Sequence, residues 1–572
     1  ISGLAQVTAG SIELGNDAGN TTNFGTLTFN SAGSVTISED SSLDLVGINT
    51  AGSADIDSTG SVSDAVGGSV DITGLLDVAG SSIALGSGSF NSGSLTFNSV
   101  GLVAISENSS LDLVGVNTAG SADLDSTGSV TDAVGGSVDI IGLLDVAGTS
   151  IALGSGSFNS GSLTFNSAGS VNIAEDSAML VSGPSIAGSG LDLFAADDVT
   201  LGATVTVSGD ISIIAGPTTG GIHVNAKLKG TGAILLDAAE EITIDADIDP
   251  TTVTLNADDD ITVNASVVAS DLITVSAGED GSGGFTLTLA GSLTTTNAGS
   301  DVTVSTGSGS GDISLAGTTT AVDQVDFTSS AGSINGAGLV TGDAVDLNAA
   351  SGIGNTTGLE LSASNISADT TSGDIVIGNV LGTMVNVSSM TTGSGSIDFD
   401  QSDGGSLVTG SVSASDTIDV TNSAGGIVLA GTVAGTDLVV TSSGAVTDGS
   451  DGDLAISGLA QVTAGSIELG NDAGNTTNFG TLTFNSAGSV TISEDSSLDL
   501  VGVNTADSAD LDSTAAVSDT GATSVDITGL LDVSGAEITL GSGAFNAGTL
   551  TFNSAGSVTI NENSSLDLVG IN

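Results

Sequence analysis

Three short aspartate clusters are the groups in this chain best suited to bind a metal ion. Carboxylate oxygens at close spacing are the ligands that calcium prefers in proteins. The third cluster has glycines between its carboxylates, as a loop would, and is the strongest of the three. We therefore predict no required cofactor and calcium as an optional ligand. The candidate ligands are Asp245, Asp247 and Asp249, then Asp258, Asp259 and Asp260, and then Asp448, Asp451 and Asp453.

A solvated surface is the alternative interpretation of these clusters. Asp245, Asp247 and Asp249 alternate with apolar residues, so all three would point outward from a strand while Ile244 and Ile248 point inward. Acidic faces of this kind usually need no ligand.

Catalytic chemistry has few possible participants here. The chain has one histidine, two Lys or Arg residues in total and no cysteine or tyrosine. His223 lies in the phrase GIHVNAKLKG beside Lys227 and Lys229, where it alternates with Ile222 and Val224 as a strand residue would. A catalytic site needs several partnered groups. We therefore predict that the protein is not an enzyme, with no catalytic and no cofactor-binding residue.

The net charge of −65 limits the partners of this chain. Phosphate backbones would be repelled, which argues against nucleic acid. Cations are the natural partners of such a surface, and added salt would screen its self-repulsion. No apolar run is long enough to cross a bilayer, so membrane insertion is not expected. The absence of cysteine excludes disulfides.

The chain is organised by repeats. The phrase LTFNS begins at positions 68 residues apart, and a longer block that starts at Ile1 restarts unchanged at Ile456, 455 residues on. These offsets divide the chain into residues 1–183 with 68-residue repeats, residues 184–455 with divergent repeats, and residues 456–572 as a second copy of the start. The LTFNS phrases begin at Leu27, Leu95, Leu163, Leu482 and Leu550.

Apolar residues alternate with polar ones in short runs between Gly and Ser, which predicts strands. We count nine strands per 68 residues, hence three coils of three strands and about 22 residues per coil. The sequence thus predicts an all-β fold, a three-sided parallel β-helix. A longer spacing between the strand starts Ile397 and Ile427 predicts a loop insertion in one coil.

Two repeated positions have predicted structural roles. The phenylalanines of the LTFNS phrase are expected to fill the core, three coils apart, and the asparagines after them to bond turn backbones. The phenylalanines are Phe29, Phe97, Phe165, Phe484 and Phe552, and the asparagines are Asn30, Asn98, Asn166, Asn485 and Asn553.

Several phrases resemble the β-helical shafts of filamentous-haemagglutinin-like exoproteins and giant bacterial surface proteins. They are GDISIIAG at Gly209, VTLNADDDITVNA at Val253, GDISLAG at Gly311 and GGIVLAG at Gly425. The resemblance is one of pattern over nearly the whole chain. It implies an extracellular, adhesin-like protein of a bacterial cell surface.

We therefore expect a structural function, as a shaft or filament segment of a very large repetitive surface protein. Uncapped coil ends and the screened charge predict self-association, end to end or laterally. The first alternative is a β-helix that binds or cleaves polysaccharides, with cell-surface glycans as partners. A second, an array of immunoglobulin-like sandwiches, would need units near 100 residues.

Overall fold

A computed structural model describes residues 1–17, 19–278, 286–309 and 311–572. These residues form strands and turns and no helix. Every described strand pairing is parallel, and the strands stack as a β-solenoid of about 26 coils spaced by about 21 residues. The predicted fold class is confirmed. The chain forms two compact units, Ile1–Ser276 and Ala277–Asn572, and each is described by itself.

The strands up to residue 277 are short, mostly three to six residues, and alternate buried and exposed side chains. They are Leu4–Ala9, Ile12–Leu14, Thr26–Ser31, Ser34–Glu39, Leu43–Leu45, Ile48–Ala51, Ser53–Ser58, Ser61–Asp64, Ser69–Gly80, Ser82–Leu85, Ser89–Ser99, Leu102–Glu107, Leu111–Leu113, Val116–Ala119, Ser121–Ser126, Ser129–Asp132, Ser137–Gly148, Ser150–Leu153, Ser157–Ser167, Val171–Glu175, Met179–Val181, Ser185–Ala187, Leu191–Ala195, Val199–Leu201, Val205–Val207, Ile211–Ala215, Ile222–Val224, Leu228–Gly230, Ala233–Ala238, Ile242–Ile244, Ile248–Asp249, Thr252–Ala257, Ile261–Val263, Ser266–Ala269 and Leu272–Ala277.

The strands from residue 286 onward follow the same pattern, with a few longer ones that turn a corner. They are Thr286–Leu289, Ser292–Thr295, Asp301–Thr306, Asp312–Leu315, Thr318–Thr320, Gln324–Ser329, Ile334–Asn335, Leu339–Ala349, Leu359–Thr370, Ile375–Val380, Val385–Thr392, Ile397–Ser402, Leu407–Ser413, Thr417–Asn422, Ile427–Leu429, Thr432–Gly435, Asp437–Ser442, Ala445–Thr447, Asp453–Ala464, Ser466–Leu469, Thr477–Ser486, Ser489–Glu494, Leu498–Leu500, Val503–Ala506, Ser508–Ser513, Ala516–Asp519, Ser524–Gly535, Glu537–Leu540, Ala544–Ser554 and Val558–Ile560.

Three columns of stacked strands form the faces of the first unit. Along the chain, Asp71, Val78 and Leu85 lie on three successive faces, and Asn91 returns to the column of Asp71 as its register partner. One circuit of the solenoid therefore runs from Asp71 to Asn91. The inward side chains of each column stack on the inward side chains of the coils above and below, so the core is a continuous apolar stack.

The 68-residue repeat contains ten strand segments, not the nine predicted. Two long strands, Ser69–Gly80 and Ser89–Ser99, turn a corner without a break and each supply segments to two faces. The short strand Ile48–Ala51, whose buried residues are Asn49 and Ala51, supplies a further segment that apolar alternation does not reveal. At three segments per coil, one repeat spans three and one-third coils. Each copy therefore begins one face further round than the copy before it.

The phenylalanines of successive copies show this rotation. Phe97 stacks in the column of Ile37, Ile56 and Val78, whereas Phe165 stacks in a different column. Phe29 lies on the third face, in the strand whose Asn30 pairs with Thr50. The predicted core role is confirmed for all three, which are fully buried. Their predicted separation of three whole coils is wrong. The column that ends at Phe165 contains Leu85, Ile105, Leu124 and Val146.

The predicted loop insertion between Ile397 and Ile427 is also wrong. Ile397 pairs with Ile418, and Leu407 pairs with Ile427, so each residue meets its partner after one ordinary coil. The strand-start pattern moves from one face to another at this point. A change of face, rather than extra residues, therefore explains the long spacing.

Candidate functional site

The first predicted aspartate cluster lies on an outer face. Asp245, Asp247 and Asp249 are exposed, while Ile244 and Ile248 are fully buried. Asp245 accepts a hydrogen bond of 2.8 Å from Asn264 Nδ2 in the next coil. The alternation therefore produces the solvated face that was the alternative interpretation.

The second cluster occupies a turn before the strand Ile261–Val263. Asp258 is half-buried, and Asp259 and Asp260 are exposed. The backbone of this turn continues the ladder, because the N–H of Asp258 donates to Ala238 O and that of Asp259 donates to Glu240 O. The turn therefore joins two coils through its main chain.

The third cluster is divided between different joints, a joint being a place where a side chain of one coil bonds the backbone of a neighbouring coil. Asp448 is buried, and its Oδ2 accepts from Gly470 N–H at 2.6 Å and from Asn475 Nδ2 at 3.2 Å. Asp453 Oδ1 accepts from the N–H and the Oγ of Thr476, both at 2.8 Å, and these bonds lower its pKa. Asp451 is exposed. Burial raises the pKa of Asp448.

These aspartates are not assembled into one centre. In the part of the chain that the structure describes, no group of three or more His, Cys, Asp or Glu residues could hold a metal ion.

The small basic patch lies in the first unit. His223 is half-buried on the strand Ile222–Val224, and its Nε2 is 3.8 Å from Glu241 Oε1. Lys229 is exposed and lies in register between Thr206 and Asp249. Within the described ranges neither Lys227 nor Lys229 forms an ion pair.

Sequence reasoning assigned the repeat's structural asparagine to the wrong position. Asn98 is exposed, and its Oδ1 accepts from Thr118 Oγ1 at 2.9 Å instead of bonding a turn backbone. The buried amide is Asn117, whose Oδ1 accepts from Phe97 N–H at 3.0 Å and whose Nδ2 donates to Val114 O and Ser137 O. Asn49 and Asn504 repeat this arrangement.

The sequence does carry a signal for this residue, because every copy except the one that begins at Leu163 has an asparagine after the Gly-Ile or Gly-Val pair of its LVG phrase. In that copy Ser185 takes the position, and its Oγ accepts from Phe165 N–H at 3.2 Å. That signal is visible only once the strands are known to change column there. The amide fills the gap between two short strands that both pair with one long strand. An example is the pair Leu111–Leu113 and Val116–Ala119, which both pair with Ser89–Ser99.

A glutamate closes another joint in every copy, and it is buried in all of them except the last, where Glu562 is half-buried. In each case its Oε1 accepts from the backbone N–H of the residue fifteen positions earlier, in the preceding coil. The glutamates and these donors are Glu39 with Phe24, Glu107 with Ser92, Glu175 with Ser160, Glu494 with Phe479 and Glu562 with Ala547. Burial raises the pKa of Glu175 and of Glu494 from the ordinary value of 4.5 to about 7.

Asp64 forms a third kind of joint. Its two carboxylate oxygens accept from the backbone N–H groups of Gly86, Ser87 and Gly88 in the next coil, at 2.9 to 3.0 Å. Gly86 has φ of +111°, and an added Cβ would lie 2.5 Å from Ser106 O. Only glycine fits there without strain. Asp132 and Asp519 make the corresponding bonds.

We expect Asp64→Asn to destabilise this joint by about 2 kcal/mol, because an amide NH₂ would replace an acceptor that faces backbone N–H donors. Hydrogen exchange of residues 82–92 should speed up accordingly. Asp71→Asn, in the same repeat but exposed, is the matched control. Equal exchange in both variants would show that the Asp64 bonds do not hold the turn.

Outward-facing aspartates also stack between coils. Asp55 and Asp77 are register partners, with Asp57 beside them. The pKa of Asp77 is raised by partial burial and then by the charges of Asp55 and Asp57. The corresponding side chains Asp123, Asp125 and Asp145 repeat the arrangement one face further round. This surface is therefore self-repelling on more than one side.

One surface hollow of the second unit brings two carboxylates near each other. Glu360 pairs with Gly378, and Gly378 pairs with Asp400, so the carboxylates lie on one column two coils apart. Gly378 leaves a gap between them, and the hollow has a volume of 400 Å³. Two coils correspond to roughly 10 Å. Its lining contains no aromatic or basic side chain.

Among the described residues no helix is long and apolar enough to cross a membrane. Comparisons with protein-family models, with curated proteins and with solved structures find no match to this chain. The stacked parallel strands and the buried joints define it as a three-sided parallel β-solenoid. The chain combines this fold with a net charge of −65 and a repeat of three and one-third coils.

Proposed function

We propose that this chain is a structural segment, a shaft or filament portion of a large extracellular surface protein of the adhesin-like kind. The observation that carries the proposal is the rotation of successive 68-residue copies by one face. Asp55 and Asp77 lie in the column of Phe97, whereas Asp123 and Asp145 lie in the column of Phe165. A surface that binds an extended ligand along one side would repeat its groups in one column.

Copies that are rotated from one face to the next suit a structural function better than recognition of an extended ligand. They present the same acidic surface on more than one side of the coil axis, so neighbouring molecules repel one another from more than one side. Buried carboxylates and amides at the corners hold each coil to the next through backbone N–H groups, as Asp64 and Asn117 do. The repeat therefore supports stiffness and dispersal rather than recognition.

Single-molecule pulling tests the structural proposal. A shaft that resists force should open one coil at a time, and each coil of about 21 residues should release about 65 to 70 Å of chain. Steps of that size at forces well above those of a simple loop would support the proposal. Release of either unit in one step at low force would contradict it.

The polysaccharide alternative has a specific candidate location, the hollow at Gly378. Carboxyl groups roughly 6.5 to 9.5 Å apart are typical of inverting glycosidases, and Glu360 and Asp400 lie on one column two coils apart, a backbone separation of roughly 10 Å. Incubation with acidic glycans should produce no new reducing ends if the function is structural. Cleavage that is lost in both Glu360→Gln and Asp400→Asn would establish the alternative instead.

Cations are expected to act by screening. We predict that millimolar calcium raises the melting temperature modestly and promotes lateral association, because it reduces repulsion within and between molecules. Since Asp448 and Asp453 are committed to Gly470 and Thr476, Asp451→Asn should not alter the effect. Melting and light scattering with calcium, with sodium at equal ionic strength and with a chelator provide the measurement. A melting temperature indifferent to all three would refute the prediction.

A further inference from the structure

The glutamate joints differ in one chemical detail. At Glu107 the donor residue is a serine, and Ser92 supplies both its N–H to Oε1 and its Oγ–H to Oε2, each at 2.9 Å. At Glu494 the corresponding residue is Phe479, which has no hydroxyl and donates only its N–H, at 3.0 Å to Oε1. Glu494 Oε2 is buried and has no hydrogen-bond partner.

The consequence depends on the charge of the carboxyl group. Ser109 and Ser496 donate to Oε1 at the two joints with the same bond length of 2.8 Å, so the difference lies at Oε2 alone. An ionised carboxylate with one oxygen unpartnered in the interior is costly, and the neutral acid is far less so. At Glu107 the serine hydroxyl partly offsets that cost.

The surroundings favour the neutral form of Glu494. Its strand, Ser489–Glu494, is stacked between Ser466–Leu469 and Ser508–Ser513. The titratable groups on these elements and on the adjoining turns are all carboxyls, and residues 277–572 contain no Lys, Arg or His. Burial is the largest cause of the raised pKa of Glu494, and the charge of Asp495 adds to it. The neighbouring carboxyls are Asp448, Asp453, Glu468, Asp472, Asp495, Asp499, Asp510 and Asp512.

We propose that the joint at Glu494 is a proton-operated lock, which is closed while the carboxyl is protonated and loosens when it ionises. The matching joint at Glu107 keeps its hydrogen bonds in the ionised state and is the static counterpart. The sequence difference between these two joints is Phe479 in place of Ser92, which removes the hydroxyl donor. At the joint of the same sequence near residue 39, Phe24 N–H lies 3.3 and 3.1 Å from the two oxygens of Glu39, so there neither oxygen is left without a donor. Glu562, whose donor residue is Ala547, also has a buried Oε2 with no partner, so a surface protein built this way would loosen at both joints when the medium becomes alkaline.

A second buried oxygen lies at the same corner. Thr477 Oγ1 also has no partner. Thr477 is held beside the glutamate, because its N–H donates to Asp495 Oδ2 and its carbonyl accepts from Asp495 N–H, both at 2.9 Å. Two unpartnered oxygens in one corner make it less able to tolerate a negative charge than the corner at Glu107.

Hydrogen exchange of the whole chain at pH 5, 6, 7 and 8 tests the proposal, with rates corrected for the intrinsic effect of pH. Residues 477–495 should lose at least tenfold in protection between pH 5 and pH 8, and residues 90–108 should lose much less. Glu494→Gln should abolish the change in residues 477–495 only, because the amide cannot ionise. Glu107→Gln is the matched control and should leave the change at residues 477–495 intact.

Three outcomes would overturn the proposal. Equal losses in both segments would show that overall charge, rather than this joint, governs the response. A Glu494→Gln variant that keeps the pH dependence would exclude the carboxyl as its origin. Restoration of protection at pH 8 by millimolar calcium, in the unmodified chain but not in Glu494→Gln, would make a cation and not a proton the ligand of the corner.

Discussion

Replacing Asn117 with leucine is expected to lower the free energy of unfolding of its coils by about 2–4 kcal/mol. The amide is 1% exposed and bonds Phe97 N–H, Val114 O and Ser137 O. Leucine has a similar volume, so the change removes these bonds with little effect on packing. The urea midpoint and the exchange protection of residues 95–140 should both fall.

Asn98→Leu is the matched control for this prediction. Asn98 is the asparagine that the LTFNS phrase makes conspicuous, but it lies on the surface and its side chain accepts from Thr118 alone. We expect an effect within about 0.5 kcal/mol. If Asn98→Leu proved as damaging as Asn117→Leu, the assignment of the structural amide to Asn117 would fail.

The second prediction is that the protein becomes more stable as the medium is acidified from pH 8 to pH 5. Buried glutamates and stacked surface aspartates have pKa values raised by burial and by neighbouring carboxylates, so the folded chain holds protons that the unfolded chain releases. The groups involved include Glu107, Glu175, Glu494, Asp77, Asp123, Asp145, Asp419 and Asp510.

The sign and the range of pH follow from the largest shifts. Glu175 and Glu494 have pKa values raised from 4.5 to about 7 in the folded chain. The stability they contribute is fully present below pH 4.5 and is lost as the pH rises to about 7. Each shift corresponds to an upper limit of roughly 3 kcal/mol, which solvent screening reduces. The melting temperature should therefore fall steadily from pH 5 to pH 7 and change less above it.

Glu175→Gln tests the origin of this dependence. The amide oxygen can still accept from Ser160 N–H, and the variant should melt at nearly the same temperature at pH 5 and higher than the unmodified chain at pH 8. The exposed Glu468→Gln should leave the profile unchanged. A profile that is flat, or that rises toward alkaline pH, would contradict the prediction.

The fold class could be predicted from the sequence because strand alternation is a local property. Each short run of Val, Ile, Leu and Phe with polar residues between them specifies a face, and Gly or Ser specifies the corner. The spacing of Ile313, Ile334, Ile353 and Ile375 then fixes the coil length, and these four residues do stack on one another.

The face on which a segment lies could not be predicted in the same way. Glycines mark the bends inside the long strands, at Gly74 and Gly93, but nothing marks the short strand Ile48–Ala51, because its buried residues are Asn49 and Ala51 while Ile48 is exposed. One uncounted segment converted three coils into three and one-third. The rotation of the copies, which carries the proposed function, was therefore hidden from the sequence.

The chemical properties of the chain were likewise predictable from the sequence only in part. Composition alone determined the charge of −65, the lack of cysteine and the scarcity of catalytic groups. Only the tertiary structure decided which carboxylates are solvated, such as Asp245, and which are buried ligands of backbone N–H groups, such as Asp64 and Asp448. The physical reason is that their partners lie in a neighbouring coil, far from them along the chain, and only stacking brings them into contact.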